Sequence, residues 1–211
     1  MSFSNNAKFI TFEGIDGCGK STQARMLLDV LNKTHSIETI LVREPGGTTI
    51  SESIREILLH SNRGELGDRS ESLLMTASRA QLTQDVIIPN LELGKCVIAD
   101  RYSDSTLAYQ GGGRGIDIDW LIDLNNYATF ALLPDITFLI DIRPEEALRR
   151  LDQSTDRIEG EGIEFQVRVR KTYHDLAEKF QDRYVLLDGH SNIDHIQEKL
   201  LNEMKRRGII S

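Results

Sequence analysis

Apolar residues follow two rhythms along this chain. Short continuous or alternating runs occur at Phe9 to Phe12, Ile37 to Val42, Val97 to Ala99, Ile136 to Ile140 and Tyr184 to Leu187. Such runs, bounded by turn residues, predict strands buried on both faces. Between them apolar positions recur every three or four residues. Ile50, Ile54, Ile57 and Leu58 do so, then Leu73, Leu74, Ala77 and Ala80 within 68–93. Trp120, Leu121, Leu124 and Tyr127 repeat the pattern, as do Val167, Tyr173, Leu176, Ala177 and Phe180, and a last stripe spans 193–204. These predict amphipathic helices packing on the sheet, with Pro89 interrupting or kinking the helix over 68–93.

Strands alternating with helices predict an α/β fold of three layers, a five-stranded parallel sheet flanked by helices, with residues 1–211 as a single domain. Right-handed crossovers place ligands at the carboxyl ends of such strands. Gly14 to Asp16, Arg43-Glu44, Asp100-Arg101 and Asp141 should therefore share one cleft, Asp141 being read as a merely solvated strand end. Two segments break both rhythms. Gly111 to Gly115 contains four glycines and reads as a flexible loop. Residues 149–161 are charged and lack an apolar stripe; they fit a lid that excludes water or, equally, a solvated connection.

The first run leads straight into Gly14-Ile15-Asp16-Gly17-Cys18-Gly19-Lys20-Ser21, which fits G-x-x-x-x-G-K-[ST]. Strand before and helix after give this motif its required context. Glycines let the backbone turn its N–H groups inward as an anion nest, and the helix N-terminus adds positive potential. Lys20 supplies a charge for the β- and γ-phosphates, and Ser21 a hydroxyl for Mg²⁺.

Bulk properties narrow the partners. The formal charge of −8 argues against nucleic acid, no apolar run is long enough to span a membrane, and residues 1–8 lack a signal-peptide core, so a cytoplasmic protein is expected. Cys18 and Cys96 fall at opposite ends of a parallel sheet, so no disulfide is expected. The histidines lack metal-ligand spacing and read as surface residues. Arg43, Arg55, Arg79 and Arg101 exceed what one nucleoside triphosphate needs, which suggests a second phosphate-bearing ligand. Asp16 and Asp100 are candidate Mg²⁺ contacts. A GTP-binding switch is disfavoured, because no N-K-x-D motif is present.

Together the P-loop through Thr22, Arg43-Glu44-Pro45-Gly46-Gly47, Ala77-Ser78-Arg79, Asp100-Arg101-Tyr102, Tyr109 to Gly115 and Asp156-Arg157-Ile158-Glu159 resemble the bacterial thymidylate kinases, P-loop nucleoside monophosphate kinases. The resemblance covers nearly the whole chain. It implies a P-loop NTPase fold with a short lid at about 149–161, ATP and dTMP as substrates, Mg²⁺ and a homodimer. Gly14, Ile15, Asp16, Gly17, Cys18, Gly19, Lys20, Ser21 and Thr22 would hold ATP. Asp16 would stand between the two phosphates; Arg79 and Arg101 would bind the dTMP phosphate, with Arg55 nearby. Glu44 and Pro45, commonly joined by a cis bond in the family, would shape the acceptor pocket, which Ser105, Thr106, Tyr109 and Gln110 would line. Arg157 would be an arginine finger, Glu159 a contact to the metal shell, and the loop after Asp188 would flank adenine. Met75 stands where the family usually stacks a phenylalanine on thymine, so selection by stacking should weaken. Gly17 stands where another subgroup carries an arginine, which leaves the transition-state cation to the lid.

Overall fold

The computed structural model describes residue 3 and residues 7–62, 64–151 and 157–210, except the side chain of Glu159. Five strands, β1 (Phe9–Glu13), β2 (Thr39–Arg43), β3 (Cys96–Asp100), β4 (Ile136–Asp141) and β5 (Tyr184–Asp188), form one sheet in the order β2-β3-β1-β4-β5. Every pairing is parallel, in registers such as Phe12 opposite Asp100 and Ile10 opposite Ile136. β1 is buried along its whole length, as its continuous apolar run requires. It lies centrally, and the chain switches from one side of it to the other between β3 and β4. Ligand sites in parallel sheets form at such a switch.

Nine α-helices are present among the described residues: α1 (Lys20–Lys33), α2 (Thr49–His60), α3 (Asp68–Leu82), α4 (Ile88–Glu92), α5 (Ser103–Thr106), α6 (Ile118–Ala128), α7 (Pro144–Arg150), α8 (Ile163–Lys179) and α9 (Ile193–Arg206). Thr48, Asp117 and Asn192 cap α2, α6 and α9 by accepting from Ser51, Trp120 and His195 N–H groups. One core cluster joins Ile10, Phe12, Leu27, Leu31, Phe138 and Leu200 with Val169, Tyr173 and Leu176 of α8.

Several expectations need correction. The helix over 68–93 is broken by a π-helical stretch, Thr83–Ile87, and Pro89 sits in the first turn of α4. Proline has no N–H for the carbonyl four residues back, and a π turn absorbs that mismatch. The glycine segment is no flexible loop. It closes a π-helical stretch, Leu107–Gly113, packed on α8. A Cβ on Gly112 would stand 2.0 Å from Thr172 Oγ1, and one on Gly113 would stand 2.4 Å from the Phe165 ring. Close approach, not mobility, selects glycine there.

α3 is inverted relative to its apolar stripe. Glu71, Ser72, Thr76, Ser78 and Arg79 are buried, while Leu73 is half exposed and Ala77 is exposed. On α2, Leu58 is buried but Ile50 and Ile57 face outward. Asp141 is not simply solvated: it accepts from Arg170 at 2.6 and 2.7 Å and from His174 at 3.0 Å, both on α8. Burial works to raise its pKa; the Arg170 and His174 contacts outweigh burial and hold it below the usual range. His174 is therefore half-buried and structural, and His190 pairs with Glu146 at 2.6 Å. Cys18 and Cys96 are both buried and form no disulfide, as expected.

Candidate active site

The turn after β1 wraps tightly. Gly14, Gly17 and Gly19 have φ of 137°, 80° and 103°, a region that side chains with a Cβ rarely enter. Space is equally tight. A Cβ on Gly14 would meet the Ile140 carbonyl oxygen at 2.5 Å, and one on Gly17 the Ala147 carbonyl oxygen at 2.5 Å. Ile15 and Cys18 fill the turn from behind and are buried. Lys20 Nζ donates to the Ile15 carbonyl at 2.9 Å and to Cys18 Sγ at 3.6 Å. A lysine has three donors, so one remains for a ligand. Ser21 Oγ donates to Asp100 Oδ2, joining the start of α1 to the end of β3.

Across the turn stands Arg101, with φ of 73°. That uncommon backbone turns its guanidinium back over the loop. Nη2 donates to Asp16 Oδ1 at 2.5 Å and to Tyr109 Oη at 2.9 Å; Nη1 reaches the Gly14 carbonyl and Ser105 Oγ, each at 3.1 Å. Tyr109 donates to the other Asp16 oxygen at 2.7 Å, and its ring lies under Arg101. Burial works to raise the Asp16 pKa, but Arg101, Lys20 and the hydrogen bonds from Tyr109 and Arg101 hold it at about 2. Beneath this group is Glu13, fully buried, accepting from the Tyr102 N–H, Ser105 and Tyr173. Its pKa is raised by burial and by Asp104, against Arg101 and two hydrogen bonds.

The far wall rests on Arg79, only 2% exposed. Its Nε donates to Glu44 at 2.7 Å, Nη1 to Thr106 and Asn125 at 2.7 Å each, and Nη2 to the Tyr102 carbonyl at 3.0 Å. Burial pushes the Glu44 carboxyl up to about 7; Arg79 draws it down, and Glu13 adds to the rise. Its Oε1 is buried without a partner among the described residues. Arg43 forks onto Glu52 at 3.0 and 2.8 Å, and both Arg43 and Arg55 donate to the Pro45 carbonyl. The Glu44–Pro45 bond is cis, as the resemblance implies.

One cavity of about 440 Å³ runs between the turn and this wall. Asp16, Gly17, Gly19, Lys20, Ser21, Thr22 and Asp100 line one end; Arg101, Ser105 and Tyr109 line it too, with Glu44, Pro45, Arg55, Met75, Arg79, Thr106 and Gln110. A phosphate cradle thus faces a deep pocket across a clamped carboxylate.

Comparison with known proteins decides the family. The family model described as thymidylate kinase matches residues 12–200. The chain is 49% identical over 189 residues to the thymidylate kinase of Thermosipho africanus, covering 89% of this chain and 92% of that one. It is 44% identical over 209 residues to the Chlorobium phaeobacteroides thymidylate kinase, covering 94% of each. The crystal structure of thymidylate kinase from Ehrlichia chaffeensis superposes with a TM-score of 0.79 at 35% identity, covering 94% of this chain and 98% of that one. The chain belongs to the thymidylate kinase family. Its fold is that of a P-loop NTPase.

Within this thymidylate kinase fold, three of the expected site residues are held by their neighbours. All three nitrogens of Arg79, which lines the cavity, are engaged by the wall. Asp16 accepts with both oxygens, one from Arg101 and one from Tyr109. Arg157 does not line the cavity; it donates to the Leu58 carbonyl at 3.0 Å, and its Nη2 lies 2.7 Å from Glu71. Arg150 lines the cavity instead, held by the Gly189 carbonyl at 3.1 Å. Asp141 faces α8 rather than the cavity. The expected lid residues 152–156 and the Glu159 side chain lie outside the described residues.

Sequence reasoning missed Glu13, Glu71, Arg114 and Tyr173. Glu71 carried a signal: with Ser72, Thr76 and Arg79 it forms a polar stripe at helical spacing, half of it small hydroxyls rather than solvated charges.

Proposed function

We propose that the protein transfers the γ-phosphoryl group of ATP to dTMP, giving ADP and dTDP. The observation that carries this reading is the continuous cavity, with the phosphate-binding turn at one end and Met75, Thr106 and Gln110 at the other. The turn's N–H groups and Lys20 take the donor phosphates. Arg101 presents positive charge to the acceptor phosphate while Asp16 and Tyr109 fix its plane. The acceptor phosphate is itself the nucleophile at neutral pH, so no base is required. Catalysis is then positioning and charge stabilisation.

The residues fit Mg²⁺. Ser21 and Asp100 offer hard oxygen donors side by side, and among the described residues no group of three or more His, Cys, Asp or Glu forms a metal cage. Mg²⁺ takes few protein ligands and draws the rest from water and phosphates. When bound, it neutralises charge on those phosphates. The last cation comes from the lid. We assign it to Arg150, since Gly17 has no room for a side chain and Arg157 is spent on Glu71.

The inverted α3, with α2 and α6 beside it, supports a homodimer. Leu73, Ile57 and Trp120 are about half exposed and Tyr127 is 88% exposed, all on these neighbouring helices. Light scattering should give twice the chain mass; a monomer at micromolar concentration would refute the dimer. Among the described residues no helix is long and apolar enough to cross a membrane. The activity is tested by measuring ADP release with dTMP, dUMP, dCMP, dGMP and thymidine. Preferential turnover of dTMP is expected, and none with dTMP would end the reading.

A further inference from the structure

Glu71 lies on α3 outside the phosphate machinery and is 1% exposed. Gln110 Nε2 donates to its Oε1 at 2.9 Å, and Arg114 Nε to the same oxygen at 3.2 Å. Arg114 Nη2 donates to Oε2 at 3.1 Å, and Arg157 Nη2 stands 2.7 Å from it. Burial works to raise its pKa, and the contacts from Arg114, Gln110 and Arg157 outweigh burial and hold it below the usual range. An ionised carboxylate only accepts hydrogen bonds. Gln110 must therefore turn its NH₂ toward Glu71, since the reverse would set oxygen against oxygen. The amide's other atom, the acceptor Oε1, is what Gln110 has left for the cavity it lines near Met75 and Thr106.

We infer that Glu71 is a positioning residue for base selection: by locking the Gln110 amide it fixes an acceptor for the ring N–H of a pyrimidine imide. The inference rests on the reading that the acceptor is dTMP. Thymine carries a hydrogen on N3, which meets that acceptor. Cytosine carries a lone pair on N3, which opposes it. An unrestrained glutamine would flip to serve either base. A glutamine held by an ionised carboxylate cannot, so discrimination against cytosine lies in a residue that never touches the nucleotide.

The test is kcat/KM for dTMP and for dCMP, with ATP, on the full chain and on Glu71→Gln and Gln110→Leu. A glutamine at 71 both donates and accepts, so it releases the flip. The dTMP-to-dCMP ratio should fall about tenfold or more in Glu71→Gln, partly through a gain on dCMP that structural damage cannot produce. Gln110→Leu should lower the ratio similarly by removing the acceptor. A ratio within about twofold of wild type in either folded variant overturns the inference, whatever the loss in overall rate. If Glu71→Gln does not fold, Glu71→Asp, which keeps the charge but withdraws it from Gln110, takes its place under the same criterion. Wild type that fails to use dTMP defeats the functional reading itself; wild type that uses dTMP and dCMP equally defeats only this inference.

Discussion

The two ends of the cavity are built by opposite means. The donor end is nearly all backbone: three glycines at positive φ and the start of one helix, within eight consecutive residues. Its charged members are few. The acceptor end is nearly all side chain. Glu44 holds Arg79, Asp16 holds Arg101, and Glu71 holds Arg114 and Arg157, each pair joining segments far apart in the chain. A backbone site is stiff because its covalent geometry is stiff. A side-chain site is stiff only while every pairing is kept, so activity and stability should separate at the first and fall together at the second.

The largest expected effect tests the second half of that contrast. Glu44→Ala leaves Arg79 buried without its carboxylate and should cost about 3–5 kcal/mol of stability, read by chemical denaturation. Glu44 also gives a pH signature. Its folded pKa of about 7 stands above the ordinary 4.5, so its contribution is full below pH 4.5 and is lost as pH rises through 7. Glu44→Gln should flatten that slope between pH 5 and 8; an unchanged slope would put the titration elsewhere.

Next comes Lys20→Ala. It should lower kcat by about 10²–10³ with little change in denaturation midpoint, since only two weak loop contacts are lost. A matching loss of stability would erase the distinction between the two ends. The lid comes third. Arg150→Ala should reduce kcat by about 10² or more, and more than Arg157→Ala does; the reverse ranking would return the finger to Arg157. Smallest is Met75→Phe. It adds a flat ring to the acceptor pocket and should lower the KM for dTMP by a few-fold, about 1 kcal/mol or less. An unchanged or higher KM would mean that Met75 does not face the base.

The same contrast explains what could be read from sequence. The phosphate turn is local, so spacing alone disclosed it, and the buried strands followed from continuous apolar runs such as Val97 to Ala99. Family resemblance pointed to residues that line the cavity but not to their states. In sequence Arg79 is one of four arginines that exceed the needs of one nucleotide; its partner, Glu44, is 35 residues away. Glu71 was passed over because α3 was expected to pack by its leucines, and the helix is turned the other way. The glycines at 111–113 suggested freedom, because sequence cannot show that Ile118, Thr172 and Phe165 arrive against them. A polar stripe such as Glu71, Ser72, Thr76 and Arg79 can mark a buried polar face, but no periodicity tells which distant residues it pairs with.

The contact between Gly17 and the Ala147 carbonyl has an evolutionary meaning. A side chain at position 17 and the present placement of α7 exclude each other. A single substitution that installed an arginine in the loop would therefore displace α7 before it could serve catalysis. On the proposal that Arg150 supplies the transition-state cation, moving that cation into the loop is a two-site change with a disfavoured intermediate, an epistatic lock set by a Cβ that would stand 2.5 Å from the Ala147 carbonyl oxygen.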